Sequence, residues 1–363
     1  MVRTTHPGLA LQPVAQFSLF EVDRDQDPCT NQVELYDLAP RCVFYTSEKE
    51  RVGPYLKTVE RNFTHAGKAY KLVLYPARVR RSDGAELDIY PSEREQIVEE
   101  VLRRLASEAN RIWLEDDDRQ RDRVMMSFTV NEIRTELKRV GHSLNGDQVR
   151  EALEVLHRSV IEIRQCGAGK DPLLSSSAFP VMMIADARNA GARTYLQFNP
   201  LVAQAIRSLD WRRASYETLM RISDPVARWL YKRLALRVRV TDTEVAMRAT
   251  DIAQDSGLVN RSRTRDTLKR VTEAMESLVE ANVLDSFSCA VEKEGRRQVD
   301  IMYDLQLSKS MREELQRADR AAIEAKRTMK KIAGTEQPDR FIRVDGDRLQ
   351  KIRQDERLAL KTS

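Results

Sequence analysis

TVNEIRTELKRVGHSLNGDQVREALEVLHRSV, residues 129–160, decides how the chain is read. Val130, Ile133, Leu137 and Val140 recur at the three- and four-residue spacing that gathers side chains on one face of a helix. Thr129 and Glu132 form a capping box ahead of them, each side chain satisfying the other's free backbone N–H. Gly141-His142-Ser143-Leu144 reads as a tight turn, after which Asn145, with Gln148 three residues on, opens a second helix carrying Val149, Leu153, Leu156 and Val160. Two short helices about a glycine-containing turn make a helix–turn–helix. Strands are predicted at Val160–Arg164, Phe179–Ala185 and Thr194–Phe198, the last two joined by the tip Arg188-Asn189-Ala190-Gly191-Ala192-Arg193. A helix–turn–helix followed by a β-hairpin is a winged helix.

Upstream, Lys71–Tyr75 and Glu86–Tyr90 read as two strands joined by a turn at Ser82-Asp83-Gly84. Ser92 and Glu95 make another capping box, before a helix with Val98, Val101, Leu102, Leu105 and Ala109 on one face. Downstream, the same order of elements recurs. Ser215–Arg221 and Asp224–Arg237 are predicted helices, the second entered by Pro225 and buried through Val226, Trp229, Leu230 and Leu234. Thr250 is expected to cap a short helix that Gly257 ends, and Ser262 a long one with Leu268, Val271, Met275 and Leu278 at helical spacing. Phe287, Cys289 and Val291 then alternate with polar residues, and after a turn at Glu292–Arg297 so do Val299, Ile301, Tyr303 and Leu305.

The expected fold is therefore α+β, with two tandem winged-helix domains over residues 61–208 and 209–307. Residues 1–60 show little periodicity and are broken by Pro7, Pro13, Pro28, Pro40 and Pro54, which predicts a flexible or partly ordered arm. Residues 308–363 are charged and poor in aromatics; Met311–Ile332 reads as a solvated helix and the chain beyond Gly334 as a mobile basic tail.

Composition narrows the function. The 363 residues are 41% hydrophobic and 32% charged, enough for two ordinary domains with heavily charged surfaces. Lysine and arginine number 61 against 56 acids, a net +5 that favours a polyanionic partner only where the cations cluster. The four cysteines are scattered without metal-ligand spacing, which fits a reducing compartment. No run is apolar enough for a membrane span and no signal peptide is visible, so a cytoplasmic protein with no membrane partner is expected.

Catalytic motifs are missing. His6, His65, His142 and His157 form no H-x-H or H-E-x-x-H set. Gly167-Ala168-Gly169-Lys170 has Arg164 where a P-loop needs glycine and Asp171 where it needs Ser or Thr. Glu115-Asp116-Asp117-Asp118 runs straight into Arg119, Arg121 and Arg123, the mark of a solvated loop. We expect no enzyme activity, catalytic residue, metal or cofactor.

The cations do cluster at the start of the last long helix of the repeat, at Asn260, Arg261, Ser262, Arg263, Thr264 and Arg265, then Lys269 and Arg270. A recognition helix enters the major groove with its N-terminal residues at the base edges, where arginine can pair with guanine and Ser or Thr can hold phosphate. The turn with Lys293, Arg296 and Arg297 would be the wing, its basic character diluted by Glu292 and Glu294. In the first domain, Arg188 and Arg193 take the wing position, and Arg150 and Arg158 lie on the second helix among Asp147, Glu151 and Glu154. The second domain should dominate affinity for double-stranded DNA. In the proline-flanked arm, Gln16-Phe17-Ser18-Leu19-Phe20 either docks on the protein itself or fills a partner's pocket.

The tandem arrangement, Leu209-Asp210-Trp211, the helix SDPVARWLYKRL at 223–234 and the basic recognition helix together resemble plasmid replication initiators of the RepA/TrfA type, over roughly residues 70–307. That resemblance implies binding to repeated origin sequences (iterons), opening of the adjacent origin, a monomer–dimer equilibrium, and recruitment of the host helicase and initiator. In TrfA-like members a Q-L-S-L-F-type peptide binds the bacterial sliding clamp; the resemblance implies that role for Gln16, Phe17, Ser18, Leu19 and Phe20, with Phe17 in leucine's place. A winged-helix transcriptional regulator or autorepressor is the alternative within the same fold, and a partition protein whose basic helices bind protein is a third reading.

Overall fold

The computed structural model describes residues 13–22, 29–44, 51–53, 55–80, 84–115, 123–167, 174–184, 192–242, 244–258, 263–347 and 351. Its first elements, α1 (Ala15–Phe20), β1 (Cys29–Gln32) and α2 (Glu34–Leu38), are each too short to hold alone. Distant partners order them. The Gln16 side-chain amide donates to the Arg340 carbonyl at 2.9 Å and accepts from the Ile342 N–H at 3.0 Å. The Phe17 ring lies 5.2 Å from Phe341, and Phe20 meets Trp211 edge-on. Residues 13–22 and 29–44 are thus built into the core, which corrects the expected flexible arm. Gln16, Phe17 and Phe20 are buried and Ser18 and Leu19 half-buried, so this peptide docks on its own chain. Local pattern could not show it, because the Gln16 partner lies 324 residues away.

A small hairpin, β2 (Arg51–Val52) with β3 (Tyr55–Leu56), precedes β4 (Val59–His65), β5 (Lys68–Tyr75), β6 (Ala77–Arg80) and β7 (Glu86–Ile89). Here the expected pairing of Lys71–Tyr75 with Glu86–Tyr90 is replaced by two others: β5 pairs with β4, and β7 with β6. Helix α3 (Glu93–Ala106) follows, with the Glu95 carboxylate accepting from the Ser92 N–H at 2.8 Å. Strands β8 (Ile112–Glu115) and β9 (Arg123–Thr129) lead into α4 (Val130–Arg139) and α5 (Gly146–Arg158). Both capping boxes are formed: Thr129 accepts from the Glu132 N–H at 3.1 Å, and Asn145 from the Gln148 N–H at 2.9 Å. Then come β10 (Val160–Gln165), β11 (Leu174–Ser176), β12 (Met182–Ile184) and β13 (Arg193–Gln197). The hairpin β12–β13 joins the strand that precedes the helix–turn–helix, giving the order β12-β13-β9-β8, while β10 turns away into a second sheet, β11-β10-β5-β4.

Helix α6 (Pro200–Ser208) and β14 (Arg212–Ser215), which pairs with β1, lead into α7 (Tyr216–Arg221) and α8 (Pro225–Arg237). The second unit is completed by β15 (Ala246–Arg248), α9 (Ala249–Ser256), α10 (Thr264–Glu280), β16 (Leu284–Glu294) and β17 (Arg297–Leu307). Its sheet runs β15-β17-β16, so again the hairpin after the helix–turn–helix recruits the strand before it. The fold is α+β with this arrangement twice. Thr250 is not the cap of α9: it lies inside the helix, and its N–H and hydroxyl both donate to the Asp300 carboxylate of β17.

Helix α8 is buried on every side, not on one stripe. Arg228 and Lys232 have no exposed surface, although each carries a charge. Arg228 donates to the Ile222 carbonyl and to Glu93 and Gln96 of α3. Lys232 pairs with Glu100 and reaches Asp37 at 4.0 Å. Arg103 holds Asp37 at 2.5 Å, and Arg41 pairs with Glu99, which also accepts from Tyr36. Three cations and three carboxylates therefore neutralise one another where α2, α3 and α8 meet. Burial alone would raise the Asp37 carboxyl, but Arg103, Lys232 and Arg41 outweigh it and hold it below the ordinary aspartate value.

The last helix, α11 (Lys309–Ala333), is amphipathic and packed rather than solvated. Met311 and Leu315 enter the core of the second unit, and Ala325 and Met329 that of the first. Beyond Gly334 the chain returns to α1: Phe341 and Val344 are buried, and the Val344 N–H donates to Pro13 at 2.9 Å. The expected mobile tail is corrected as far as Asp347.

Candidate nucleic-acid interface

Helix α10 buries Leu268, Val271, Ala274, Met275 and Leu278 against α8, α9 and the wing. That stripe fixes which side chains face outward. Arg263, the N-cap residue, and Arg265 are exposed and make no ion pair among the described residues. Lys269 is 75% exposed, with only a loose 3.7 Å contact to Glu273 one turn on. Asp266 is the one acid of the first turn and forms no ion pair with these cations. Further acids follow at Glu273, Glu276 and Glu280, so positive charge outweighs negative at the helix N-terminus, where the helix dipole adds to it. Arg270 departs from the sequence reading. It is only 12% exposed and pairs with Asp224 at 2.5 Å, so it fastens α10 to the start of α8. Asn260, Arg261 and Ser262 lie outside the described residues.

Gly257 ends α9 with φ +60, and a Cβ there would stand 2.8 Å from the Pro40 side chain and 2.6 Å from that of Arg61. Glycine is needed for both reasons. Thr64 N–H donates to Asp255 at 2.9 Å, so β4 of the first unit braces the helix–turn–helix of the second.

The wing reaches the same place. Gly295, at φ +62, is the first residue of a two-residue turn closing Glu294 on Arg297, as a type II′ hairpin requires. Lys293, Arg296 and Arg297 are exposed around it. Arg297 donates to the Thr264 hydroxyl at 3.3 Å, which draws the wing tip onto the first turn of α10. Arg248 of β15 pairs with Glu292 at 2.8 Å and stands 3.5 Å from Asp300. It thereby offsets one of the two wing acids that weakened the sequence reading. Arg248 was not singled out from sequence; its position just before α9 is the only signal, and it becomes meaningful only once β15 is seen beside β17.

In the first unit the corresponding cations among the described residues are engaged. Arg150 pairs with Asp147 at 2.9 Å and Arg158 with Glu154 at 2.9 Å. Arg158 also donates to the Arg78 carbonyl, and Val155 packs against Ala77 and Val79, so the hairpin β6–β7 covers the end of α5. Arg94 of α3 takes Glu151. Arg193 donates to the Ser127 hydroxyl at 2.8 Å, and Arg188 lies outside the described residues. An open cleft of about 570 Å³ between α4 and α7 is lined by Arg139, His142, Glu217 and Arg221, all bonded to protein groups.

Among the described residues, no group of three or more His, Cys, Asp or Glu is placed to hold a metal ion. No described helix is long and apolar enough to cross a membrane.

No family model matches the chain, and no curated protein matches it. Among solved structures it is similar to a selenomethionine derivative of domains 2 and 3 of RctB, at 9% identity and a TM-score of 0.46, covering 81% of this chain and 99% of that one. A structure of RctB residues 155–483 gives 10% identity, a TM-score of 0.42, and coverage of 80% and 99%. The Pi initiator protein in complex with iteron DNA gives 12% identity, a TM-score of 0.41, and coverage of 60% and 91%.

Proposed function

We propose that this chain binds double-stranded DNA through the second unit, with α10 in the major groove and the β16–β17 wing on the flanking backbone. One observation carries the reading: Arg263 and Arg265 project from the first turn of α10 with no ion pair among the described residues, Lys269 makes only a 3.7 Å contact with Glu273, and Arg297 brings the wing tip to the same turn. Free cations at a helix N-terminus are what base edges and phosphates require. The first unit then acts chiefly as a scaffold, its own cations being held by neighbouring protein groups.

The class of DNA follows from the sequence resemblance to RepA/TrfA-type initiators: repeated sequences at a replication origin, with opening of that origin and assembly of host replication proteins around it. The chain is not proposed as an enzyme. The test supplies the gene in trans to a replicon that carries only the neighbouring origin. Maintenance of that replicon, lost with Arg263→Ala/Arg265→Ala, is the expected result. Binding of the repeats without maintenance of the replicon ends the initiator reading and leaves the DNA reading standing.

A further inference from the structure

Helix α9 begins at a residue that cannot cap it. Arg248 holds the N-cap position, and its guanidinium offers no acceptor to the free N–H groups of the first turn. The cap comes from the wing instead. Strand β15 pairs with β17 up to Arg248 opposite Met302, and running that register on sets Thr250 opposite Asp300. There the Asp300 carboxylate accepts from the Thr250 N–H at 3.1 Å and from the Thr250 hydroxyl at 2.6 Å. Arg248 stands 3.5 Å from the same carboxylate and also pairs with Glu292, the residue opposite Asp300 on β16.

Strand alternation by itself would turn Asp300 outward. Ile301, Tyr303, Leu305 and Leu307 are buried, whereas Asp304 and Gln306 between them are exposed. By position Asp300 belongs with Asp304, yet only 5% of it is exposed. The register gives the reason. Glu292 pairs with Asp300 and Lys293 with Gln298, so Val299 is an extra residue on β17. Such a bulge bends its strand, strengthens the local twist and re-aims a side chain. One distortion therefore seats the carboxylate at the start of α9 and sets the direction in which the wing tip leaves the sheet.

We propose that Asp300 is the positioning residue of the wing, capping α9 from across the sheet and thereby fixing the angle at which Lys293 and Arg296 meet the DNA backbone. The proposal rests on the DNA reading above. Two other ties join β17 to α10: the Tyr303 hydroxyl meets that of Thr272 at 2.7 Å, and Arg297 donates to Thr264 at 3.3 Å. Tyr303 lies on the buried side of the bulge and Arg297 beyond it, in an exposed bond. Asp300 is the contact at the bend itself.

The test is a double-mutant cycle between Asp300→Ala and Lys293→Ala/Arg296→Ala. It is read as the salt dependence of binding between the full chain and a duplex of the neighbouring origin. In the wild-type background the wing pair should flatten the slope of log K against log salt by about two, one for each lost phosphate contact. The dissociation constant should rise about tenfold. With Asp300→Ala the slope should already be flatter, and adding the wing pair should change affinity less than about twofold. A residue that merely supports the fold would leave the wing pair as costly as before. Thr250→Val, which removes only the hydroxyl, should lower the wing penalty part way. Asp300→Asn keeps an acceptor for the Thr250 N–H and should keep the wild-type penalty. An unchanged wing penalty in Asp300→Ala, or in Thr250→Val where that variant alone folds, overturns the proposal. So does an Asp300→Asn that behaves like Asp300→Ala. Arg263→Ala/Arg265→Ala, run beside them, separates the two readings. Retained binding there ends the DNA reading and this inference with it; lost binding with an unchanged wing penalty ends this inference alone.

Discussion

Helices α5 and α10 occupy the same position in two copies of one arrangement, yet only α10 presents arginines at its first turn that make no ion pair among the described residues. Both have a buried stripe at helical spacing and arginines on the other side. The difference lies in what surrounds the arginines. On α5 each has a carboxylate three or four residues before it, and a hairpin closes over the C-terminal end. On α10 the first two turns hold one acid, Asp266, which forms no ion pair with Arg263, Arg265 or Lys269, and those cations face outward. Helix identity is thus not enough to assign a reader. The local charge balance decides.

The largest effect is expected from breaking the platform that both units share. Lys232→Met leaves Glu100 and Asp37 buried with a missing cation, and loss of one partner from a buried pair costs about 3–5 kcal/mol. Urea unfolding should show that loss. The same cluster sets a pH dependence. Because Asp37 is held below its ordinary pKa when folded, its contribution is present above the unfolded value and disappears as pH falls through the folded one. Stability of the wild type should therefore decline below about pH 4. A flat profile from neutral pH down to 3 would show that Asp37 is not charged in the fold.

Next comes the reader itself. Arg263→Ala/Arg265→Ala should weaken specific DNA binding by about 2–4 kcal/mol, given about 1–3 kcal/mol for each base contact. The unfolding midpoint should not move, since neither side chain supports the fold. If both arginines instead hold phosphate, the loss will be uniform across sequences and the salt dependence flatter. Unchanged binding would remove α10 from the interface. A smaller effect is expected at Gly257→Ala, where a left-handed non-glycine residue costs about 1–3 kcal/mol and the new methyl meets Pro40. Stability and DNA affinity should fall together there, because the turn sets the angle at which α10 leaves α9.

What could be read without coordinates was local. The capping residues Thr129 and Asn145 accept the backbone N–H expected of them, and the alternation over Phe287–Leu305 matches the paired strands of the wing. What could not be read depends on contacts far apart in the chain. Gln16 needs Arg340 and Ile342, and β1 needs β14. Helix α8 defeats a simple wheel because its charged residues are as buried as its apolar ones, their partners lying on α2 and α3. For the interface, the position of the arginines was legible but their availability was not: Asp224 captures Arg270 from a different helix.

The smallest expected change tests the comparison most directly. Arg150→Ala/Arg158→Ala in α5 removes two ion pairs near the surface, each worth no more than about 1 kcal/mol, and one hydrogen bond to the hairpin β6–β7. Stability should fall slightly, and affinity for DNA should stay within about twofold of the wild type. The reasoning is electrostatic. An arginine already neutralised by its own helix releases few counterions when a phosphate approaches, and exchanging one partner for the other gains little. On helix α10, Arg263 and Arg265 have no such partner among the described residues. If the α5 double variant lost as much affinity as Arg263→Ala/Arg265→Ala, the pairs on α5 must open on binding, and both helices would then have to be counted as readers of a longer site.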